Sequence, residues 1–577
     1  SAANTQHRDG VHTALQTTYA GDRLVYEANL QYSRFNWNYA DPSNADAPQV
    51  AILDPSETTV GVIGHPGFTF DETENTLQLQ QKVTYSLGRH TLKAGADLMA
   101  SDFSLAGGGN PNGNYTVRLT DAQLNALQNR NPGPGLLPSD VQGLPGDLNV
   151  LNYAVELRPN TFGARQDQIG VYVEDQFSPV ANLNVTAGLR WDYDSLSKGG
   201  DTTGDWNNVA PRLSLNYALD DRSSIRAGYG MFYDKILYAV YSDALQFNTT
   251  ADGFRSQIQS LVDQGILPED TDLDRVTHDG NLTASASGVP YLDGPTPDEL
   301  QSERGEIISN ELRIFNPDGY DNPLTHQFSM GYQRQVASDK LFYVDLVHTR
   351  SFNLYRIRDL NAPAPFDISA ADLAAAEDPA DLVRTHAEAD ATRPVQPVDG
   401  GARRIIMTET AGESRYWAAS VNLVKDRADD DVWYRLSYTL SRLRNNTDDI
   451  NFRAEDANDF DDEWGPSVND RTHVISGVVS YAPVENLTAT LATLLQSGQP
   501  INRVPDASVF GTRDLNGDGR SFGDAYTGNS DRHPGEGRNS DRLPWSTTFD
   551  VSLQYTLPLT QGRVVARADV FNVFNTQ

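Results

Sequence analysis

The sharpest chemical motif in this chain is a run of oxygen-bearing side chains at alternate positions, Asp514, Asn516 and Asp518, followed at once by a glycine. Ca²⁺ prefers several oxygen ligands on a tightly turning backbone, so this spacing resembles the first half of a calcium loop. The twelfth position is Ala525 where a bidentate Glu would be expected, although Asp524 is adjacent. We expect either a Ca²⁺ site formed by Asp514, Asn516, Asp518 and Asp524, or an Asn/Asp/Gly turn that only folds the loop.

A second cluster of acidic side chains offers another place for a cation. It comprises Asp456, Asp459, Asp461, Asp462 and Glu463. Neighbouring carboxylates can bridge divalent cations, but a run of like charges is also typical of a solvated loop. The sequence leaves both interpretations open.

Residue types that carry out catalysis show no recognisable arrangement. The chain has no GxSxG, HExxH or Walker motif, and its ten histidines are scattered, mostly beside turns or at strand ends. His473, for example, is expected to be an ordinary strand-end residue. We therefore expect no catalytic residues, no organic cofactor and no enzymatic activity.

Charge and composition exclude several classes of protein. The formal net charge of −33 argues against nucleic acid as a partner, because phosphate binding needs an excess of lysine and arginine. The chain contains no cysteine, which excludes disulfides and thiolate metal sites. Mean hydropathy is −0.51, and no stretch approaches the roughly 18 apolar residues of a membrane helix. A barrel strand needs only about 10 residues, half of them apolar, so the polar average is compatible with a membrane.

The elements that would position these residues are predicted by a two-residue alternation. Between Leu183 and Tyr193, apolar side chains alternate with Asn, Thr, Gly, Arg and Asp, as in a β-strand with one apolar and one polar face. The pattern recurs in eight hairpins with short turns, sixteen strands in all. The predicted pairs are Val11–Tyr19 with Leu24–Asn38, Leu77–Leu87 with Thr91–Met99, Ile169–Phe177 with Leu183–Tyr193, Leu213–Leu219 with Ile225–Tyr233, Phe328–Val336 with Leu341–Val347, Tyr416–Val424 with Val432–Leu443, Val474–Tyr481 with Leu487–Leu495, and Phe549–Leu557 with Val564–Phe574.

Between the hairpins lie segments of roughly 15 to 90 residues, far longer than ordinary connections. In outer-membrane barrels the short turns face the periplasm and the long loops face outside. The sequence therefore predicts an all-β fold, an antiparallel transmembrane β-barrel with extracellular loops. Short helices are expected in these loops at Asp121 onward, with Thr120 and Gln123 as a capping box, at Phe254–Val262 before Gly265, and at Ala370–Ala376 after a Ser369 cap.

Charged side chains on the polar strand faces would be costly against lipid, so they are expected to face the barrel lumen. They are Arg190, Asp192, Arg226, Arg435, Arg567 and Asp569. We expect them to form a salt-bridged wall around the lumen, the alternative being that they line a substrate path.

Strand direction leads to an expectation about the ends of the chain. If both termini of a complete barrel are periplasmic, Val11–Tyr19 runs inward and is an even strand, whereas Val564–Phe574 runs outward and is odd. An unpaired strand edge in lipid costs several kcal/mol per backbone group, so we expect the chain to be incomplete at both ends. The opening residues, SAANTQHRDG, have no signal-peptide pattern, so a leader has been removed or the chain begins inside a longer protein.

Five motifs, in order and at their spacing, carry a resemblance to a known family. They are QIGVYVEDQFSPVANLNVTAGLRWDY (168–193), APRLSLNYAL followed by RAGYGMFYD (210–234), EWGPSVNDRTH (463–473), DLNGDG leading to SDRHPGEGRNS (514–540) and ADVFNVFN (568–575). Together they resemble the TonB-dependent receptors of the outer membrane and, within them, the Oar-like group. The resemblance covers most of the chain.

This resemblance implies a barrel of about 22 strands with an N-terminal plug in its lumen. It also implies a TonB box that couples the plug to the inner-membrane energy source and, in Oar-like members, an N-terminal immunoglobulin-like module. Residues 1–577 would then be an incomplete receptor barrel without the plug and the final strand. The implied partners are outer-membrane lipid, including lipopolysaccharide, the TonB complex, and a small-molecule, peptide or protein ligand.

Three functions from different classes stay open at this point. The first is an energised importer that binds its ligand at the extracellular loops and passes it through a plugged barrel. The second, suggested by the Oar-like resemblance, is a surface interaction or secretion-linked protein. The third is a passive porin-like channel or a soluble all-β protein such as a propeller.

Overall fold

The computed structural model describes residues 2–40, 42–109, 112–130, 135–157, 161–200, 203–301, 309–397, 402–427, 430–456, 459–519, 531–558 and 564–575. Within these ranges one sheet of eighteen strands dominates, and all but the short strands Glu311–Ile314 and Gly465–Pro466 are long. Each long strand pairs antiparallel with the next one along the chain. The sheet is therefore an up-and-down meander, the topology predicted from the hairpin series.

The long strands are β1 (Thr5–Ala20), β2 (Leu24–Ala40), β3 (Phe68–Leu87), β4 (His90–Gly109), β5 (Phe162–Val180), β6 (Leu183–Asp194), β7 (Val209–Asp220), β8 (Ser223–Tyr233), β9 (Leu324–Ala337), β10 (Lys340–Asp359), β11 (Arg404–Lys425), β12 (Val432–Asn445), β13 (His473–Val484), β14 (Leu487–Gln496), β15 (Ser546–Thr556) and β16 (Val565–Val570). We call the edge of the sheet with the tight connections, such as that between β1 and β2, the short-turn end. The opposite edge is the long-loop end.

All sixteen predicted strands are present, but several of their boundaries were wrong. At the long-loop end β3 begins at Phe68 rather than Leu77, and β11 begins at Arg404 rather than Tyr416. These extensions lose the apolar alternation, and backbone hydrogen bonds to the neighbouring strands hold them in the sheet.

Two turns also differ from the prediction. Ser178 and Pro179, predicted to form a turn, belong to β5, and Val180 pairs with Leu183 at a register shift. β16 ends at Val570 instead of Phe574, because Asn572 takes a positive φ of 47° and its N–H donates to the Asp550 carboxylate at 2.8 Å.

One face of the sheet, here the outer face, is apolar although it is exposed. Val11, Leu15 and Tyr19 of β1 are 61%, 65% and 59% exposed. The cross-strand register extends this face into a continuous apolar row, Leu15, Leu30, Leu79, Leu98, Ile169 and Tyr193, across six strands. A soluble sheet would bury such a row, so the outer face is suited to hydrocarbon.

The inner face is polar over the same strands. The row displaced by one residue reads Gln16, Asn29, Gln80, Asp97, Gly170 and Asp192. The alternation of apolar and polar side chains thus gives the sheet one face suited to lipid and one face suited to water.

The outermost strands each have one neighbour. β1 pairs with β2 and β16 pairs with β15, and no pairing joins β1 to β16 in the part of the chain that the structure describes.

The long loops fold into a compact layer, here called the cap, at the long-loop end. It contains a five-stranded sheet of Gln49–Leu53, Thr59–Gly64, Asn114–Arg118, Asn149–Leu157 and Leu282–Ala286, and a two-stranded ladder of Pro500–Ile501 with Asp541–Arg542. The two largest buried apolar clusters lie here, one around Val117 and Val155 and the other around Phe254 and Ile405. Among the described residues, the two largest buried apolar clusters therefore lie in the cap and where the cap meets the start of β11.

The helices also lie in the connections between the long strands. They are α1 (Asp121–Asn129), α2 (Pro138–Gln142), α3 (Tyr238–Gln246), α4 (Asp252–Asp263), α5 (Leu273–Val276), α6 (Pro297–Gln301), α7 (Ala370–Ala375), α8 (His386–Asp390) and α9 (Ala507–Phe510), with 3₁₀ turns at Ser195–Lys198 and Pro379–Leu382. Among the described residues, no helix has both the length and the apolar character needed to cross a bilayer.

The three helix predictions are confirmed. Thr120 and Gln123 form a reciprocal capping box at the start of α1. The amphipathic helix α4 presents Phe254 and Ile258 to the core and is followed by Gly265, which has a positive φ of 71°. The Ser369 side chain caps α7.

Candidate functional site

The inner face carries ion pairs that reach across an intervening strand or join residues of the same strand. Arg190 contacts both Asp97 and Asp192 at 2.8 Å, and Arg226 contacts Asp345 at 2.7 Å. These pairs are only partly exposed, so each stiffens the wall while its outer atoms still meet water. The structure thus brings together the charged residues predicted to line a lumen.

Two other predicted members of this wall, Arg567 and Asp569, pair at 2.8 Å on β16. Arg435 lies on the same inner face in cross-strand register with Val478, and its side chain is exposed. The predicted set therefore faces one side of the sheet, although it forms local pairs rather than a single network.

A concave pocket of about 340 Å³ opens on this face where the strands meet the cap. Arg190 and Asp192 line it beside Gln80 and Gln168, and Tyr233 and Lys235 line it as well. Side-chain amides, a phenol and a cation offer both donors and acceptors, so the pocket is suited to a polar ligand.

A partly buried carboxylate joins the cap to the strands. Glu311, in the short strand beside β11, accepts hydrogen bonds from Arg404 at 3.0 Å and from both terminal nitrogens of Arg453 at 3.0 and 2.8 Å. Arg404 starts β11, and Arg453 lies in the loop after β12. Glu311, Arg404 and Arg453 therefore hold three separate connections together at the long-loop end.

Two sequence motifs that lie far apart in the chain meet in the cap. Glu463, from EWGPSVNDRTH, is fully buried and accepts hydrogen bonds from Arg532 at 2.9 and 2.8 Å. Arg538, from SDRHPGEGRNS, is also buried, donates to the Glu463 carbonyl at 2.8 Å and forms an ion pair with Asp448. The motifs therefore serve to dock one loop on the other.

The interpretation of the second acidic cluster as a solvated loop was wrong for Glu463. Asp459, Asp461 and Asp462 are exposed as that interpretation expects, whereas Glu463 is buried against Arg532. Local sequence could not distinguish Glu463, because its partner lies 69 residues further along the chain. The one signal in the sequence was that Glu463 opens the motif EWGPSVNDRTH, whereas the other acidic residues of the cluster precede it.

The DLNGDG segment forms a tight, hydrogen-bonded loop beside this junction. The Asp514 carboxylate accepts from the Gly519 N–H at 3.0 Å and faces the His386 ring at 2.9 Å, and the Asn516 side-chain oxygen accepts from the Asp518 N–H at 2.9 Å. The carbonyl of Asp518 accepts from Arg393 at 2.8 Å. Most oxygens of the motif thus already accept hydrogen bonds from the protein.

Asp531 is the carboxylate that completes this region. It is 3% exposed and accepts from the backbone N–H groups of Leu515 and Asn516. Burial, and then the nearby charges of Asp518 and Glu455, hold the pKa of Asp531 well above its ordinary value. One Asp514 carboxylate oxygen is buried with no hydrogen-bond partner.

Asp524, the fourth predicted calcium ligand, lies outside the described residues. Within the described ranges, no three acidic or histidine side chains converge with the geometry of a metal site. The structure brings Asp514, Asn516 and Asp518 into one loop, and sequence reasoning missed Asp531 because it follows the motif outside calcium-loop spacing.

A membrane sheet with an apolar outer face, a polar inner face and a folded cap defines a transmembrane β-barrel protein of the outer membrane. The chain belongs to the family of outer membrane beta barrel domains, whose sequence profile matches residues 1–203 and 196–577. A search of curated proteins finds no match. The protein is placed in the outer membrane, with its short-turn end at the periplasm and its cap outside.

Solved structures share this fold at low sequence identity. The outer membrane transporter YddB from Escherichia coli is 12% identical with a TM-score of 0.56, over 99% of this chain and 59% of YddB. A mutant of the ferric enterobactin receptor PfeA from Pseudomonas aeruginosa is 13% identical with a TM-score of 0.50, over 99% of this chain and 57% of PfeA. The chain thus spans less than two thirds of the length of either protein.

Replacing Glu463 with Gln should loosen the junction between the two motifs. The substitution leaves the buried Arg532 guanidinium with Glu455, at 2.7 Å, as its one remaining anionic partner among the described residues. Breaking a buried ion pair from one side costs up to about 3–5 kcal/mol. Hydrogen exchange of residues 463–472 and 531–540 should rise together. The matched control is Glu536→Gln, which breaks the more exposed Arg503–Glu536 pair and should cost at most about 1 kcal/mol. Equal hydrogen-exchange protection of these residues in the two variants would contradict the role of Glu463 in joining the two motifs.

The raised pKa of Asp531 predicts a pH-sensitive cap. A carboxyl group whose pKa is higher in the folded than in the unfolded state stabilises the fold at low pH, and that stability is lost as pH rises through the folded-state pKa. Hydrogen exchange of residues 511–519, corrected for intrinsic rates, should therefore show more protection at pH 5 than at pH 8. Asp531→Asn, which mimics the protonated side chain, should reduce this difference. A variant with the full wild-type pH dependence would count against Asp531 as its source.

Proposed function

We propose that the chain is the barrel part of a TonB-dependent receptor that imports a ligand across the outer membrane. The observation that carries this proposal is the polar, ion-paired inner face below a folded cap. A lumen of this kind supplies a hydrated path, and the cap supplies a surface on which a ligand can first bind. The Oar-like motifs support placing the receptor in that group.

The pocket beside Arg190 supports a polar ligand as cargo. Its amides, charged groups and Tyr233 can donate to and accept from hydroxyls, amides or carboxylates. We propose a metal chelate, glycan or peptide as the class of ligand, and no enzymatic step on it.

We further propose how the barrel is closed and plugged. Unpaired strand edges in lipid are costly, so we propose that β1 and β16 pair with further strands that close a barrel of about 22 strands. A barrel of that size needs a plug to stay sealed, and we propose that a plug with a TonB box occupies the lumen and meets the inner-face ion pairs.

Uptake in intact cells tests this proposal. The full-length gene is expressed in the outer membranes of a TonB-competent and a TonB-deficient strain, and both are given radiolabelled ferric siderophores, cobalamin, oligosaccharides and peptides. Energy-dependent accumulation of one compound in the competent strain only is expected. Arg190→Gln should weaken that uptake, whereas Arg89→Gln at a short turn should not.

The other candidate functions predict different outcomes. A steady ion conductance of the full-length protein in planar bilayers would indicate a porin-like channel. A protein that co-purifies with the cap, together with no uptake of any compound, would indicate a surface interaction or secretion-linked protein of the Oar-like kind.

We also propose that Ca²⁺ binds the DLNGDG loop through Asp514, Asn516, Asp518 and Asp524. The buried Asp514 oxygen without a hydrogen-bond partner supports this, as does the crowding of acidic groups around Asp531. Ca²⁺ should slow proteolysis at residues 511–531, and EDTA should reverse the effect. Asp518→Asn should abolish the response, and Asp461→Asn in the exposed acidic cluster is the control. An unchanged rate of proteolysis on adding EDTA would contradict the proposed Ca²⁺ site.

A further inference from the structure

Two neighbouring carboxylates lie on the inner face close to the cap. Glu72 and Glu74 belong to the part of β3 that precedes Leu77, where the predicted strand begins. An even number of positions separates each of them from Gln80 in an unbroken register, so both side chains are on the inner face. Both residues are only partly exposed. A carboxylate that loses water in this way is destabilising unless a cation or several N–H donors replace the water.

The surrounding protein compensates little of this charge. Within the part of the chain that the structure describes, the Glu72 carboxylate accepts no hydrogen bond, and neither glutamate forms an ion pair. Glu74 accepts one hydrogen bond, from the Thr76 hydroxyl at 2.8 Å. The guanidinium of Arg8, on β1, lies over the Trp37 ring at 4.9 Å and does not contact either carboxylate. The two carboxylates therefore keep their negative charge available to a further cation.

Aromatic side chains border the carboxylates on the same face of the sheet. Trp37 of β2 lies directly opposite Glu72, and Phe103 of β4 lies directly opposite Glu74. The Trp37 ring also packs edge-on against Phe70, with the ring centroids 4.8 Å apart. Aromatic ring faces attract cations but supply no oxygen ligands, so this border is suited to an organic cation rather than to a metal ion.

A tyrosine of the cap covers the carboxylates from the other side. Tyr238, the first residue of α3, stacks on Phe103 with ring centroids 4.4 Å apart and an interplanar angle of 11°. It is 9% exposed, and its hydroxyl is buried with no hydrogen-bond partner among the described residues. Burial, and then the nearby charge of Glu72, raises the pKa of the Tyr238 phenol. The hydroxyl therefore lies near the carboxylates and can accept a hydrogen bond from a cation that they bind.

We propose that Glu72, Glu74 and Tyr238 form a binding site for an organic cation, an alkylammonium or guanidinium group. The carboxylates accept charge-assisted hydrogen bonds from its N–H groups, and the Tyr238 oxygen accepts another. The ring faces of Trp37 and Phe103 contact the carbon atoms next to the charge. The net charge of −33 attracts cations toward the protein. The site does not depend on TonB-driven uptake, so a binding measurement can fail or succeed separately from the transport assay.

Binding of a cation and of its neutral analogue by the purified full-length protein tests the site. Benzylammonium and benzyl alcohol share a ring and are similar in size, but they differ in charge. Saturation-transfer NMR should show that wild type binds benzylammonium at least about tenfold more tightly. The double variant Glu72→Gln, Glu74→Gln should lose this preference. The control Glu27→Gln, Glu174→Gln removes two carboxylates that already have lysine partners on the same face, and it should keep the preference.

Tyr238→Phe keeps the site testable if the double variant does not fold. It retains the ring on Phe103 and removes a buried hydroxyl without a partner, so Tm should not fall, whereas affinity for benzylammonium should fall about threefold or more. A lower Tm with unchanged affinity would indicate a structural role only. Equal affinity of wild type for the two compounds, or the same preference in the double variant, would overturn the proposal. So would the absence of benzylammonium binding at millimolar concentration, the result expected if a plug fills the site.

Discussion

Hydrogen bonding of the backbone inside hydrocarbon is the constraint on which this structure depends. Each peptide group that meets lipid must find a partner within the sheet, because an unsatisfied group costs several kcal/mol. The sixteen long strands meet this demand by pairing with their neighbours in sequence order. Since a strand has two faces, the same ladder that satisfies the backbone also separates an apolar side from a polar side.

The cap obeys a different rule, because its surroundings are aqueous. There the loops are free to differ in length, and they are held by buried contacts between distant segments. Glu311 binds Arg404 and Arg453, and Glu463 binds Arg532. A buried ion pair adds little net stability compared with apolar packing, but leaving one of its charges buried without the other is strongly destabilising. In a chain rich in Asp and Glu, such pairs help to fix which loop lies on which.

This division explains what could be predicted from the sequence. The strand series was readable because lipid imposes a period of two on each strand, as between Leu183 and Tyr193, whatever the rest of the chain does. The pairing of Gln49–Leu53 with Asn114–Arg118 was not readable, because it joins segments from different loops and carries no local signal. The burial of Glu463 and Asp531 was missed for the same reason. Helices α1, α4 and α7 were predictable because their caps are local.

The same division locates where binding specificity can change. A substitution on the outer face meets lipid and is constrained by solvation, whereas one on the inner face or in the cap meets water or a ligand. YddB shares the fold at 12% identity, which shows how little of the sequence the sheet itself requires. Fold alone therefore does not fix the ligand. The positions that can vary most freely are those whose side chains face away from lipid, such as Gln168 and Lys235 around the inner pocket, because a new side chain there changes the pocket without breaking the backbone pairing of the sheet.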